Sequence, residues 1–196
     1  MMAAPGDTYE RELKALLSGE EKAINRMIKT CDVVEATAYR SMMDRPFLVI
    51  RAAGSLGVDL VALRWDFSFP IEVKSSEKDV LYLSRSERLI QQAEKMIETC
   101  NRSHIIPIYA YRMKNIRGDP WRLFTLPSDT SLCGTAAVLR SKIPFLEVSR
   151  SGNYILRWKD GIKLSDLLGY VDTSTFVSDD SEHLPYEEDA AFDEES

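Results

Sequence analysis

The sequence predicts a mixed α/β domain, with a central mixed sheet flanked by helices. Three observations predict it. Apolar residues recur at helical spacing over 7–30 and again over 84–101. Runs rich in Val, Ile, Leu and Phe lie between those helices at 47–51, 58–65 and 69–74. Two more such runs follow at 105–113 and 121–125. Helices and strands therefore interleave along one chain.

The first helix rests on Leu13, Leu16 and Leu17, then Ile24, Met27 and Ile28, with a break or kink expected at Ser18-Gly19. Residues 31–45 read as partly helical, until Pro46 announces extended chain. Phe47–Arg51 is the first strand. Ala52–Gly57 is a turn, whose glycines Gly54 and Gly57 can adopt positive φ. The short link Asp66–Ser68 makes Val58–Trp65 and Phe69–Lys74 a hairpin. The second helix carries Leu89, Ile90, Ala93, Met96 and Ile97 on one face, with Ser84 and Glu87 spaced as a capping box. Over 126–160 the pattern gives loops and short strands at 145–148 and 154–158, and Ser165–Leu168 a short helix.

The chain has 196 residues, which favours one domain. No apolar run approaches the roughly 18 residues of a membrane span, and the N-terminus lacks a secretory pattern. A cytoplasmic, nucleoid-associated protein without membrane contact is expected. Cys31, Cys100 and Cys133 are far apart, and no C-x-x-C pair suggests a zinc knuckle. The net charge of −6 is segregated. Residues 172–196 hold ten acids and no Lys or Arg, leaving 21 acids against 25 bases in residues 1–171. The expected organisation is a mildly basic domain over 1–171 and a disordered acidic tail over 172–196. Such a body permits a nucleic-acid partner.

One constellation carries chemistry. Asp59 lies in the apolar run Val58–Leu63, where an unpaired charge is costly to bury. Glu72 and Lys74, one residue apart, project from the same face of their strand. A hairpin pairing the two strands brings both carboxylates to one place, with an ammonium beside them. Magnesium takes oxygen ligands of this kind. A metal-activated water and charge neutralisation are what phosphodiester hydrolysis requires. Glu-Val-Lys alone is also a common salt pair on exposed strands; the combination with Asp59 is what points to a site.

The surrounding motifs extend this pattern. They are Tyr9-Glu10-Arg11-Glu12-Leu13, then Val49–Ser55, Val58–Ala62, Ile71–Lys74, Glu77–Leu83, Ile106–Ile108, Trp121–Leu123 and Gly161–Gly169. In this order they resemble the PD-(D/E)xK nuclease superfamily, and within it the archaeal Holliday-junction resolvases. The resemblance implies a restriction-endonuclease-like fold and a homodimer. It also implies Mg²⁺-dependent cutting of four-way DNA junctions in recombination and repair, with Mn²⁺ a possible substitute. By motif, Asp59 and Glu72 would be metal ligands, joined by Glu10, and Lys74 the catalytic lysine. Ser55 would be the serine of a loop near the scissile phosphate. Arg11 and Arg51 would contact phosphates; Tyr82 would lie near the dimer face and is assigned with them to DNA binding.

Two departures stand out. The stretch between Glu10 and Arg51 is about twice the family's length, so 20–45 is either an extension of the first helix that displaces Glu10 or a small helical insertion that alters junction binding. The acidic tail is the second departure. They keep two other readings open: a related nuclease cutting another branched or duplex DNA, and a catalytically silent DNA-binding protein on the same fold.

Overall fold

The computed structural model describes residues 5–52, 57–83, 87–127, 131–150 and 152–178. Helix α1 (Pro5–Leu17) buries Leu13, Leu16 and Leu17 and ends at the Ser18-Gly19 break. Gly19 adopts φ +71°, and a Cβ there would lie 2.3 Å from the Met42 carbonyl oxygen. Only glycine fits both demands.

The segment 20–45 does not lengthen α1. It forms α2 (Glu21–Met27), a 3₁₀ turn (Ile28–Thr30) and α3 (Val33–Asp44). A capping box starts α3: the Glu35 N–H donates to Asp32 Oδ1 at 2.8 Å, and the Asp32 N–H donates to Glu35 Oε2 at 3.2 Å. Beyond α3, the Phe47 N–H donates to the Leu17 carbonyl at 2.9 Å. The two ends of 18–46 therefore meet, and the chain resumes beside the helix it left.

The strands are β1 (Leu48–Arg51), β2 (Leu60–Leu63), β3 (Phe69–Ser76), β4 (Val80–Tyr82), β5 (Ile108–Met113), β6 (Trp121–Thr125), β7 (Glu147–Val148), β8 (Tyr154–Arg157) and β9 (Ile162–Lys163). Six form the central sheet in the order β1-β2-β3-β5-β6-β9, antiparallel except for β3 against β5. The parallel pair needs a crossover, which α4 (Glu87–Ser103) supplies. A second sheet runs β4-β8-β7. Two later helices complete the fold: α5 (Gly134–Lys142) and α6 (Leu164–Ser178).

Alternation along the strands splits the core in two. Ile71, Ile108, Ala110, Trp121 and Leu123 meet Leu13, Tyr39, Met42 and Leu167 on one face. Tyr109, Tyr111 and Phe124 meet Ala93, Met96, Cys100, Leu156 and Trp158 on the other. Asp119, just before β6, ties the first face together. Its carboxylate accepts from the Tyr39 hydroxyl at 2.8 Å, the Trp121 N–H at 2.9 Å and the Ser165 N–H at 2.7 Å. Nearby, Lys163 Nζ lies 2.9 Å from Glu35 Oε1, a second link between the 20–45 segment and the sheet.

The structure adds α5 and the short strands β4 and β9 to the sequence reading, and it extends the short helix read at Ser165–Leu168 into α6, which reaches Ser178. The expectation of disorder from 172 is thus corrected at its start, because Val171 is buried and the helix carries on past it. The rest of the tail, 179–196, and the Ser84 cap lie outside the described residues. Among the described residues no helix is long and apolar enough to cross a membrane.

Candidate active site

The hairpin register pairs Leu60 with Ile71, so Glu72 follows on β3 where Asp59 precedes on the neighbouring chain. The Asp59 N–H also donates to the Ile71 carbonyl, at 2.9 Å. Two residues, Asp59 and Leu60, therefore face the single residue Ile71, as in a β-bulge. Gly57, at φ +69°, feeds the chain into this irregular step. There Asp59 Oδ2 accepts the Val73 N–H at 2.7 Å, reaching the peptide that joins Glu72 to Val73.

Glu72 is 5% exposed and sits beside Tyr109 of β5. Its Oε1 lies 2.5 Å from Lys74 Nζ. Its Oε2 is buried and accepts no hydrogen bond. The Gln92 amide of α4 comes near enough to lower the Glu72 pKa, and its Nε2 also donates to the Gly57 carbonyl at 2.8 Å. Such an orphaned buried carboxylate oxygen costs of order 1–3 kcal/mol, more when charged, unless something else occupies it.

Burial raises the Glu72 carboxyl above the usual carboxylate range; the Lys74 charge opposes this and the Asp59 charge adds to it. Asp59 is raised the same way, first by burial, with the Val73 N–H opposing and the Glu10 charge adding. Two carboxylates made uncomfortable by desolvation and by negative neighbours suit a cation between them.

Glu10 comes to the same corner from α1, but its Oε2 is held by Arg51 Nη2 at 2.5 Å. Asp7 completes this cluster, pairing with Arg51 and with Arg11, each at 2.5 Å. Arg11 is well exposed. Glu12 turns the other way and accepts from Arg112 and from the Trp121 indole, both at 3.1 Å. Among the described residues no three His, Cys, Asp or Glu side chains converge into a ready metal cage. The donor set that fits a divalent cation is thus Asp59 with Glu72 and its unpartnered oxygen. Tyr82 lies apart from this corner, on the second sheet, and is 61% exposed. Ser55 falls outside the described residues. Asp7 and Gln92 were not singled out from sequence; Asp7 stands at helical spacing from Arg11, a signal that could have been read.

Comparison with known proteins decides the family. The family model described as archaeal Holliday junction resolvase (Hjc) matches residues 27–176. The chain belongs to the archaeal Holliday junction resolvase family. It is thereby placed among nucleases that act on branched DNA. The match begins at Met27, so α1 with Glu10 and Arg11 precedes it. Among solved structures, the chain is similar to Archaeoglobus fulgidus Hjc, a Holliday junction resolvase from an archaeal hyperthermophile. The two share 18% identity over 85% of this chain and 97% of that one, with a TM-score of 0.49. No curated protein sequence matches. The family match takes in the second part of the 18–46 excursion, whose ends close on each other beside α1 and β1.

Proposed function

We propose that the protein is a homodimeric, divalent-metal-dependent endonuclease that resolves four-way DNA junctions, in recombination and repair. One observation carries the catalytic part: the buried, unpartnered Glu72 Oε2 next to Asp59, with Lys74 on the same carboxylate. Asp59 and Glu72 would hold Mg²⁺, or Mn²⁺ in its place. Bound there, the ion would supply an acidified water and neutralise charge on the phosphate. Asp59 is oriented by the Val73 N–H, so its rotamer is set before a ligand arrives. Lys74 is pre-aligned by Glu72. Its ammonium would be placed to donate to the attacking water or to oxygen charge developing on phosphorus. Glu10 would act through Arg51, holding the guanidinium toward a phosphate, and would join the ligand set when DNA draws Arg51 away. Arg11 would contact the same strand and Ser55 would lie beside it, while Tyr82, on the second sheet, would contact DNA away from this corner.

Dimerisation is supported by a second observation. Leu48, Ile50 and Leu63 share one side of the β1–β2 edge and are 66, 48 and 37% exposed, and Trp65, in the bend just after β2, is 77% exposed. An apolar patch on an edge strand needs a cover. A two-fold pair of active sites suits paired, symmetric cuts.

The test is cleavage of a synthetic four-way junction, a flap and plain duplex in Mg²⁺ and in Mn²⁺. Preferential, metal-dependent cutting of the junction is expected. Equal cutting of duplex would replace the resolvase reading by another nuclease of this superfamily. Binding without any cutting would leave a silent DNA-binding protein.

A further inference from the structure

The 18–46 excursion does more than return to its starting point. Between α1, α2 and the β5–β6 hairpin lies a cleft of about 740 Å³. Five cations line it: Arg11 and Lys14 from α1, Lys22 and Arg26 from α2, and Arg112 from β5. Its acids are Glu12 and Glu20, and Glu12 is already held by Arg112 and the Trp121 indole. Among the described residues, Lys14, Lys22 and Arg26 have no ion-pair partner. Lys22 and Arg26 are one helical turn apart, so they rise from one side of α2. Both are exposed, and α2 is anchored instead by the buried Ile24.

We infer that this cleft is an added binding site for the phosphate backbone of a DNA arm, with α2 of the excursion as one of its walls. The inference rests on the junction-nuclease reading above. Its location supports it. Arg11 at the mouth is bound to Asp7, Asp7 to Arg51, and Arg51 to Glu10 beside Asp59. A strand that reaches the carboxylates and leaves across α1 meets Lys14, Lys22 and Arg26 next. Lys14, Lys22 and Arg26, unpaired among the described residues, can recognise phosphate regardless of sequence, over a floor that includes Ala15, Ala23 and Met27. The added cations would lengthen the grip on one arm without touching the chemistry.

The experiment compares the full-length wild type with the double variant Lys22→Ala, Arg26→Ala, using a labelled synthetic four-way junction without divalent metal. Wild type should bind five- to tenfold more tightly than the variant. The slope of log affinity against log salt should shrink by about two units of charge, roughly 0.9 for each phosphate that is no longer neutralised. At saturating protein with Mg²⁺ added, the variant should cut at the wild-type rate. Unchanged affinity and slope, in a protein whose wild type binds and cuts junctions, overturns the cleft and leaves the nuclease reading standing. Failure of the wild type to bind any branched DNA defeats that reading itself. A synthetic peptide of residues 179–196 is the rival ligand, being acidic. Should it bind wild type but not the variant while junction affinity stays equal, the cleft holds a protein segment and the DNA assignment is wrong.

Discussion

The Phe47 N–H donates to the Leu17 carbonyl at 2.9 Å, closing the whole of 18–46 into an excursion with adjoining ends. That bond explains how α1 can keep Glu10 against Arg51 although 40 residues separate them in the chain. The closure is tightened by Gly19, which passes directly over the end of α3. Gly19→Ala should destabilise the protein by about 2–4 kcal/mol, from the positive φ and the collision with the Met42 carbonyl together. Urea unfolding measures it, and a loss under about 0.5 kcal/mol would mean the approach is looser than described.

At the carboxylates, Asp59→Asn and Lys74→Ala should each lower the single-turnover cleavage rate by at least about a hundredfold. Junction affinity should stay within about threefold of wild type. Gel-shift and cleavage assays on the same junction read both. A Lys74→Ala protein cutting at the wild-type rate would remove the lysine from the mechanism.

Burial holds Asp59 and Glu72 above the ordinary carboxylate range, which has a sign in stability. The folded chain keeps protons there that the unfolded chain releases. Without metal, this contribution is most favourable at low pH. It is lost as pH rises from the unfolded carboxyl values through the raised folded ones. The difference in thermal stability between wild type and the Asp59→Asn, Glu72→Gln variant, measured in chelator, should therefore move against wild type as pH rises. Mg²⁺ should reverse it at neutral pH, by about 2.7 kcal/mol at a hundred times its dissociation constant. Equal response of the variant to Mg²⁺ would place the ion elsewhere.

Asp119 is 2% exposed and satisfies Tyr39, Trp121 and Ser165 at once. Asp119→Ala would leave three buried donors unmatched and should cost about 3–5 kcal/mol. Tyr39→Phe, removing one donor with its acceptor still served twice, should cost only about 1 kcal/mol. Denaturant midpoints for the two variants should fall in that order; a reversed order would show that Asp119 is not the hub.

The β1–β2 edge makes the dimer testable. Trp65→Glu places a charge in the exposed patch without entering the core. Wild type should sediment at twice its chain mass of 22.3 kDa, and the variant should shift toward monomer. A wild-type monomer at micromolar concentration would withdraw the two-fold arrangement of cuts.

Much of this was legible in the residues, and for identifiable reasons. Trp121–Thr125 is a strand with the same limits in sequence and structure, because a buried run between turn signals has few alternatives. Asp59, Glu72 and Lys74 meet because a short hairpin link leaves little choice of register. Helix α3 is ambiguous in sequence although Asp32 and Glu35 stand at capping-box spacing, because the helix is only weakly amphipathic. Helix α5 gives no helical signal: it opens on Gly134, buries only Leu139, and carries β-branched Thr135 and Val138. Strand β4 could not be seen locally, since its partner β8 is more than seventy residues away. The roles of Gln92, Asp7 and Asp119 are tertiary, and no periodicity announces them.

The two-to-one step at Ile71 constrains how such a protein can change over generations. Asp59 is aimed by strand register, so gain or loss of a single codon between Gly57 and Leu60 would turn its carboxylate to the wrong side of the sheet. The excursion at 18–46, whose ends are already adjacent, accepts length freely. Lineages bearing this fold should therefore vary in size at the first helix while the step beside Ile71 keeps its residue count.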